Sequence, residues 1–246
     1  MKKYILVGSL VGLLGLTAVN ADTLLSGSAT IDYDSAAWST LASGFGPTPV
    51  LSLGAYFNQA DASARTQAQL LADLNPGGPA SYLGQVYAMN GASVVNLSGR
   101  YTQPTTFAYT PGSLSSHTGS IGLGGVARFD VYGGVFGSLL FGDFTLQYDA
   151  ARSLVGGSGW YLKGNIPPAA AAYDLLNVSI TEAPGTFTIS GDLGVSYEIA
   201  NFLYATPGDT LKDVGNFTFT ATTVPEPSAL ALLGLGVLLP LLRRKN

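Results

Sequence analysis

The segment DFTLQY at residues 143–148 alternates apolar and polar side chains, so that Phe144, Leu146 and Tyr148 fall on one face. A period of two is typical of a strand that buries one face and exposes the other. Two further segments repeat this pattern: TFTIS at 186–190 and NFTFT at 216–220. The alternation predicts the following buried set: Phe144, Leu146, Tyr148, Phe187, Ile189, Phe217 and Phe219.

Turn signals made of proline and glycine separate these short segments, for example at 111–112, 156–157 and 184–185. Many short strands joined by such turns, with threonine and serine on their outer faces, are typical of antiparallel sheets. We therefore predict that residues 22–223 form one mainly β domain, an antiparallel β-sandwich of jelly-roll-like type with one or two short helices.

One region departs from the strand pattern. Residues 61–74 place apolar side chains at helical spacing after Asp61, a candidate N-cap, and predict a single helix on the sheet. Residues 36–42 predict a second, shorter helix. Residues 197–204 are consistent with either a helix or a strand.

The composition excludes several classes of protein. The 246 residues include no cysteine, which excludes disulfides and thiolate metal sites. Between Asp22 and Val224 there are fourteen acidic and six basic residues, a net charge of −8. A domain of this charge without a basic patch repels a phosphate backbone, so nucleic acid is not an expected partner.

The N-terminus has the order of a secretory signal peptide. Lys2 and Lys3 precede an apolar run over residues 4–19, and the small residue Ala21 precedes Asp22. This order predicts a signal helix at residues 1–21 that is cleaved after Ala21. An uncleaved membrane anchor is the alternative.

The C-terminus, residues 224–246, has three parts in a fixed order. Pro225, Glu226 and Pro227 come first, an apolar run follows over residues 229–242, and a basic cluster ends it: Arg243, Arg244 and Lys245. A helix of this apolar run would be roughly 21 Å long, short of a ~30 Å hydrocarbon core, with the bases held on the cytoplasmic side. The run therefore predicts a hydrophobic helix that enters the membrane transiently. A linker at 222–228 would join it to the domain.

These three parts in this order, over residues 224–245, resemble the PEP-CTERM sorting domain of Gram-negative bacteria. The resemblance implies export across the inner membrane and processing by an exosortase-like membrane enzyme, often in connection with exopolysaccharide or biofilm. It implies that Pro225, Glu226 and Pro227 are the sorting motif. The resemblance is silent about residues 22–223.

No catalytic constellation can be assembled from the sequence. His117 is the single histidine and lies in a polar segment that predicts an exposed loop. Carboxylates could serve a hydrolase, but their spacing selects no pair. The candidates are Asp130, Asp143, Asp149, Glu182, Asp192 and Glu198.

Two binding sites stay open. Asp32 and Asp34 match the start of a calcium-binding loop, but the remaining EF-hand ligands do not follow them. We therefore assign no metal site and expect no cofactor. A structural calcium ion is the one alternative that the sequence leaves open. Trp160 and Tyr161 could stack on sugar rings, although plugging one end of the sheet is the favoured interpretation.

Three functions follow from these observations. The first is a non-enzymatic protein of the cell envelope, cell surface or extracellular matrix, sorted by the PEP-CTERM route and associated with extracellular polysaccharide. The second is a glycan-binding module that uses Trp160 and Tyr161. The third is a hydrolase that acts on polysaccharide.

Overall fold

The computed structural model describes residues 21–41, 50–73, 80–132, 137–203 and 207–225. Within these ranges every regular element except five short α-helices and one 3-10 turn is a strand. The strands are β1 (Asp22–Tyr33), β2 (Val50–Asn58), β3 (Gln85–Met89), β4 (Ala108–Thr110), β5 (Ser113–Thr118), β6 (Ile121–Tyr132), β7 (Ser138–Gly142), β8 (Thr145–Tyr148), β9 (Trp160–Lys163), β10 (Ala171–Ala183), β11 (Thr186–Val195) and β12 (Asp213–Pro225). The helices are α1 (Ser35–Leu41), α2 (Gln59–Ala62), α3 (Gln67–Ala72), α4 (Ala150–Ser153) and α5 (Tyr197–Phe202), and the 3-10 turn is Pro207–Asp209.

Eight strands form a closed, barrel-like ring. Their order is β12-β11-β10-β9-β8-β6-β3-β1, and β1 pairs again with β12. All of these pairings are antiparallel, which confirms the predicted mainly β, antiparallel domain. The predicted sandwich is replaced by a ring, because alternation fixes which face of a strand is buried but not which sheet it faces.

A second, smaller sheet branches from the ring, and we call β2, β7 and the part of β6 that pairs with them the lateral sheet. β6 pairs with β3 and β8 as far as Gly124, and from Gly125 onward it pairs with β2 on one side and β7 on the other. Every residue from 121 to 129 is buried. One long strand therefore belongs to two sheets and shows no exposed face over this stretch.

The inside of the ring is the main core. Side chains that the alternation places inward are fully or almost fully buried: Phe144, Leu146, Phe187, Ile189, Phe217 and Phe219. Helix α1 confirms the helix predicted at 36–42, and its Trp38 enters the core, where the indole stacks on Phe129 at 4.2 Å between ring centroids. The core is therefore rich in aromatic rings from both strands and helix.

Tyr148 is the exception within the predicted buried set, with 42% of its surface exposed. It is the last residue of β8, opposite Trp160, and its ring meets that indole edge-on at 5.5 Å. The ring therefore points toward the same side as Phe144 and Leu146 but lies at the rim, where solvent reaches it. Alternation predicted its direction correctly and its burial wrongly.

The single helix predicted at 61–74 is instead two short helices, α2 and α3. The predicted cap at Asp61 is wrong, because Asn58 Oδ1 accepts the Asp61 N–H at 3.0 Å and thus caps α2. Thr66 caps α3 in a capping box with Gln69. Residues 197–204, which are consistent with either a helix or a strand in the sequence, begin as helix α5, and the Ser196 hydroxyl caps it by accepting the Ile199 N–H at 3.1 Å.

Candidate functional site

Both ends of the folded domain meet at one seam of the ring, formed by β1 and β12. Asp22 pairs with Pro225 and Thr23 pairs with Val224, and the ladder continues to Tyr33 opposite Gly215. β12 extends to Pro225, so residues 222–225 are strand rather than the predicted linker. The predicted cleavage site after Ala21 thus lies beside the first residue of the predicted sorting motif.

The seam is closely packed. The Ser26 and Thr222 hydroxyls hydrogen-bond across it at 2.9 Å. A Cβ at Gly27 would lie 2.6 Å from the Thr220 carbonyl oxygen, so only glycine allows the two backbones to approach this closely. Hydrogen bonds and close backbone contact therefore hold both chain ends together.

An aromatic plug covers the ring at the same pole. The β4–β5 hairpin pairs with the start of β1, where Asp22 lies opposite Tyr109. From there Phe107 and Tyr109 reach across the opening to Phe187 of β11, at 5.4 and 4.8 Å between ring centroids. Both rings are buried, so the end of the ring that carries the two chain ends is packed with aromatic side chains.

His117 belongs to this plug and not to an exposed loop. It lies in β5, partly buried, with its ring 5.0 Å from Trp160 and 5.8 Å from Phe107. The sequence prediction of exposure is wrong because the polar residues around His117 form one side of a hairpin whose aromatic contacts come from distant strands.

Trp160 and Tyr161 are adjacent in β9 and therefore point to opposite sides of the sheet. Trp160 is only 5% exposed and packs inside the plug, so the indole has no outer face for stacking on a sugar. Tyr161 is partly exposed, and the Arg152 guanidinium lies 4.2 Å from its ring centroid. A glycan site made of both rings does not fit this geometry.

Arg152 gathers several of the carboxylates around Tyr161. It donates to Asp174 Oδ1 at 2.7 Å and to Glu198 Oε1, and Asp149 caps its helix α4. Burial raises the pKa of Asp174, although its hydrogen bond to Arg152 acts in the opposite direction. Burial alone would lower the pKa of Arg152, but the hydrogen bond and charge of Asp174 outweigh it and the pKa is raised. The group is a structural ion-pair network.

The other candidate carboxylates do not converge on a cleft as a pair. Asp130 accepts from Arg128 and Ser138, Glu182 accepts the Gly112 N–H, and Asp192 accepts from Asn177. Asp32 and Asp34 bind backbone N–H groups of Gly84 and of α1. Among the described residues, no three His, Cys, Asp or Glu side chains are grouped so that they could hold a metal ion.

No sequence pattern indicated two buried arginines, Arg100 and Arg128, that bind the ends of helices α2 and α3. Arg100 donates to the carbonyl of Ala62, the last residue of α2, and to the carbonyl of Arg65 in the turn that follows, at 2.9 Å for the second. Arg128 donates to the carbonyls of Leu70 and Asp73 at the end of α3. Helix C-termini leave such carbonyls without intrahelical partners, and the two arginines supply those partners at the ends of α2 and α3.

Arg100 also makes a buried ion pair. Its Nε and Nη2 donate to the two oxygens of Asp143, each at 2.7 Å. Asp143 has φ +45°, a left-handed conformation that aspartate tolerates better than most residues. In the sequence, the closest indication of this pair was a charged residue, Asp143, directly before the alternating segment 144–148. Nothing in the sequence identified Arg100 as its partner.

The remaining predicted sorting residues lie outside the described residues: Glu226, Pro227, Arg243, Arg244 and Lys245. The predicted signal helix at residues 1–21 lies outside as well except for Ala21, and so does the hydrophobic helix predicted at 229–242. Among the residues that are described, none of the helices has the length and hydropathy to cross a membrane.

Comparison with known proteins identifies the C-terminal segment. Residues 223–246 match the family model of the PEP-CTERM protein-sorting motif, which confirms the resemblance drawn from residues 224–245. The motif indicates a protein that is exported across the inner membrane of a Gram-negative bacterium toward the cell envelope and sorted by an exosortase. Neither the curated proteins nor the solved structures include a match to the chain. The matched region begins at Thr223, inside β12.

Proposed function

We propose that this chain is a non-enzymatic protein of the cell envelope or extracellular matrix, whose ring is presented at the membrane until an exosortase releases or transfers it. The observation that carries the proposal is the overlap between the sorting motif and β12. The motif match begins at Thr223, and β12 continues to Pro225 beside Asp22. No spacer therefore separates the folded ring from the sorting signal.

The use of the carboxylates supports the non-enzymatic assignment. In most glycoside hydrolases two carboxylates act as a pair on either side of the scissile bond, with environments that separate their pKa values. Here Asp149 caps a helix, and Glu198 and Asp174 share Arg152. Each of these carboxylates supports the fold. An association with extracellular polysaccharide remains part of the proposal, since the exosortase route often accompanies it.

The experiment is mass spectrometry of the chain from cells with and without the exosortase. We expect residues C-terminal to the motif to be lost only in cells that contain the enzyme. Glu226→Ala with Pro227→Ala should abolish this loss, whereas Pro184→Ala, in an exposed turn, should leave it intact. Recovery of residues 228–246 in both hosts would contradict the proposal and leave the tail as an anchor.

The bases after the apolar run are tested in the same cells. Replacing Arg243, Arg244 and Lys245 with glutamine should weaken membrane retention before processing, because these charges hold the segment against translocation. The measurement is the fraction of unprocessed chain in the membrane pellet of cells without exosortase. Equal retention of the variant and the unaltered chain would contradict the assigned role of the bases.

A further inference from the structure

We propose that a polar cleft beside the lateral sheet binds a neutral sugar unit. The cleft has a volume of about 470 Å³ and lies between α2 and the long connection that follows β3. Ligand sites in proteins commonly have volumes of about 300–1,000 Å³. The residues that carry the argument are Gln59, Asn90, Ser93, Val95, Arg100 and Asp143. This inference goes beyond the proposed function, because it concerns a different part of the molecule and rests on the folded domain alone.

The charges in the cleft cancel. Arg100 and Asp143 are the two charged residues among those that line it, and they form the bidentate pair at its inner wall, with side chains 5% and 0% exposed. The third nitrogen of Arg100 is bound by backbone carbonyls. A charged ligand would find no free counterion there, and the domain charge of −8 disfavours anions at longer range. The cleft is therefore suited to a neutral ligand.

The floor of the cleft is a fixed pair of amides. Gln59 Nε2 donates to Asn90 Oδ1 at 2.7 Å, and Asn90 Nδ2 donates to the Gln103 carbonyl at 2.8 Å. A Cβ at Gly124 would lie 2.7 Å from Gln59 Nε2 and 2.9 Å from Asn90 Oδ1. Only glycine at this position of β6 leaves room for the amide pair.

The amide pair has hydrogen-bonding capacity left over. A primary amide has two N–H donors and a carbonyl acceptor, and the bond to Asn90 uses one donor of Gln59. The hydrogen bonds among the described residues use neither the second donor nor the side-chain acceptor of Gln59, and Gln59 lines the cleft. Neighbouring hydroxyls of a sugar offer the same donor and acceptor pattern, so one amide can bind two of them.

The outer wall of the cleft supplies apolar contact. Val94, Val95 and Leu97 lie in the connection after β3, and Val95 is 80% exposed. Exposed aliphatic side chains beside a polar floor suit a ligand with hydroxyls on its edge and C–H groups on its face. A sugar ring has both, whereas a fully polar or fully apolar ligand would leave one wall unused.

The test uses the purified full-length chain on an array of neutral hexose and pentose oligosaccharides, with uronate- and glucosamine-containing oligosaccharides beside them. We expect neutral members to bind. Ser93→Trp fills the cleft from an exposed loop and should weaken binding at least tenfold. Ser179→Trp adds the same side chain to an exposed position of β10 and should leave binding unchanged.

A second variant separates loss of binding from loss of fold. Gln59→Leu keeps the approximate volume of the side chain and removes its hydrogen bonds, so it should also weaken binding, with circular dichroism unchanged. Three results would overturn the proposal: no binding of neutral members, preference for charged ones, or equal binding by Ser93→Trp and the unaltered chain. Exosortase dependence is measured separately, so failure of either proposal can be recognised.

Discussion

The wall of the ring and the lateral sheet bury polar groups in different ways. In β11 and β12 apolar side chains face inward, and threonines pair on the outside, as Thr188 and Thr220 do at 3.4 Å. Beside the lateral sheet, Arg100, Arg128 and Asp143 are buried together with helix ends. A strand that is covered on one side can bury its apolar side chains and expose its polar ones simply by alternating the two. A strand that is covered on both sides admits charges only when each has a partner.

This difference predicts where the sequence can be changed at least cost. The outer threonines of the ring contact water and can be replaced with small effect. In β6, the central strand of the lateral sheet, both faces are buried as far as Phe129, and the carbonyls that bind Arg128 come from elsewhere in the chain. The following predictions test the comparison, beginning with the largest expected effect.

The ring depends most on its inward aromatic side chains. Phe187→Ala should lower the free energy of unfolding by about 3–5 kcal/mol, since it removes a fully buried ring and leaves a cavity. Tyr148→Ala, at the exposed rim of the same inward pattern, should cost about 1 kcal/mol. Urea unfolding measures both. Equal losses would contradict the distinction between the interior and the rim.

The region beside the lateral sheet depends on the Arg100–Asp143 ion pair. Asp143→Asn should cost about 3 kcal/mol, because it leaves Arg100 buried without its counterion. Asparagine tolerates the positive φ of this position, so backbone strain is not the cause.

Asp61→Asn, an exposed carboxylate in α2, is the matched control for this change. The double variant Arg100→Gln with Asp143→Asn should be less destabilised than the sum of the two single variants. If Asp143→Asn lowers the free energy of unfolding in urea no more than Asp61→Asn does, the buried ion pair does not stabilise this region.

The interior of the ring contains uncharged tyrosine hydroxyls, whereas the charged side chains Arg100, Arg128 and Asp143 are buried beside the lateral sheet. This difference predicts that the free energy of unfolding falls at alkaline pH. Burial raises the pKa of Tyr33 to about 12 and raises the pKa values of Tyr87 and Tyr173 well above 10. In the unfolded chain these groups ionise near 10, so above that pH the unfolded state binds fewer protons. Stability should then fall by roughly 1.4 kcal/mol per tyrosine for each pH unit between 10 and 12.

Tyr33→Phe should make the pH dependence of the unfolding free energy less steep between pH 10 and 11, because one titrating group is removed. Tyr197→Phe, at an exposed position of α5, should leave the slope unchanged. Urea unfolding at several pH values measures the slope, and tyrosinate absorbance follows the ionisation. Ionisation of all tyrosines before unfolding would contradict the buried hydroxyls.

The sequence predicted those features that depend on local patterning. Phe217 and Phe219 could be placed in the core because a strand with one buried face repeats every second residue. Helix α1 could be predicted from its short apolar pattern, and the sorting motif from the fixed order of its three parts. The split of residues 61–74 could not be predicted, because Arg100 and Arg128, which bind the helix ends, are distant in the chain.

By itself, the sequence determined which side chains of the alternating strands β8, β11 and β12 point inward, and it determined the sorting signal, since both are properties of neighbouring residues along the chain. Only the tertiary structure decided that the strands close into a ring, because closure depends on β1 meeting β12 across almost the whole domain. It also decided that Asp143 pairs with Arg100 and that His117 packs against Trp160. Such contacts join residues whose separation in sequence has no period, so no pattern along the chain encodes them.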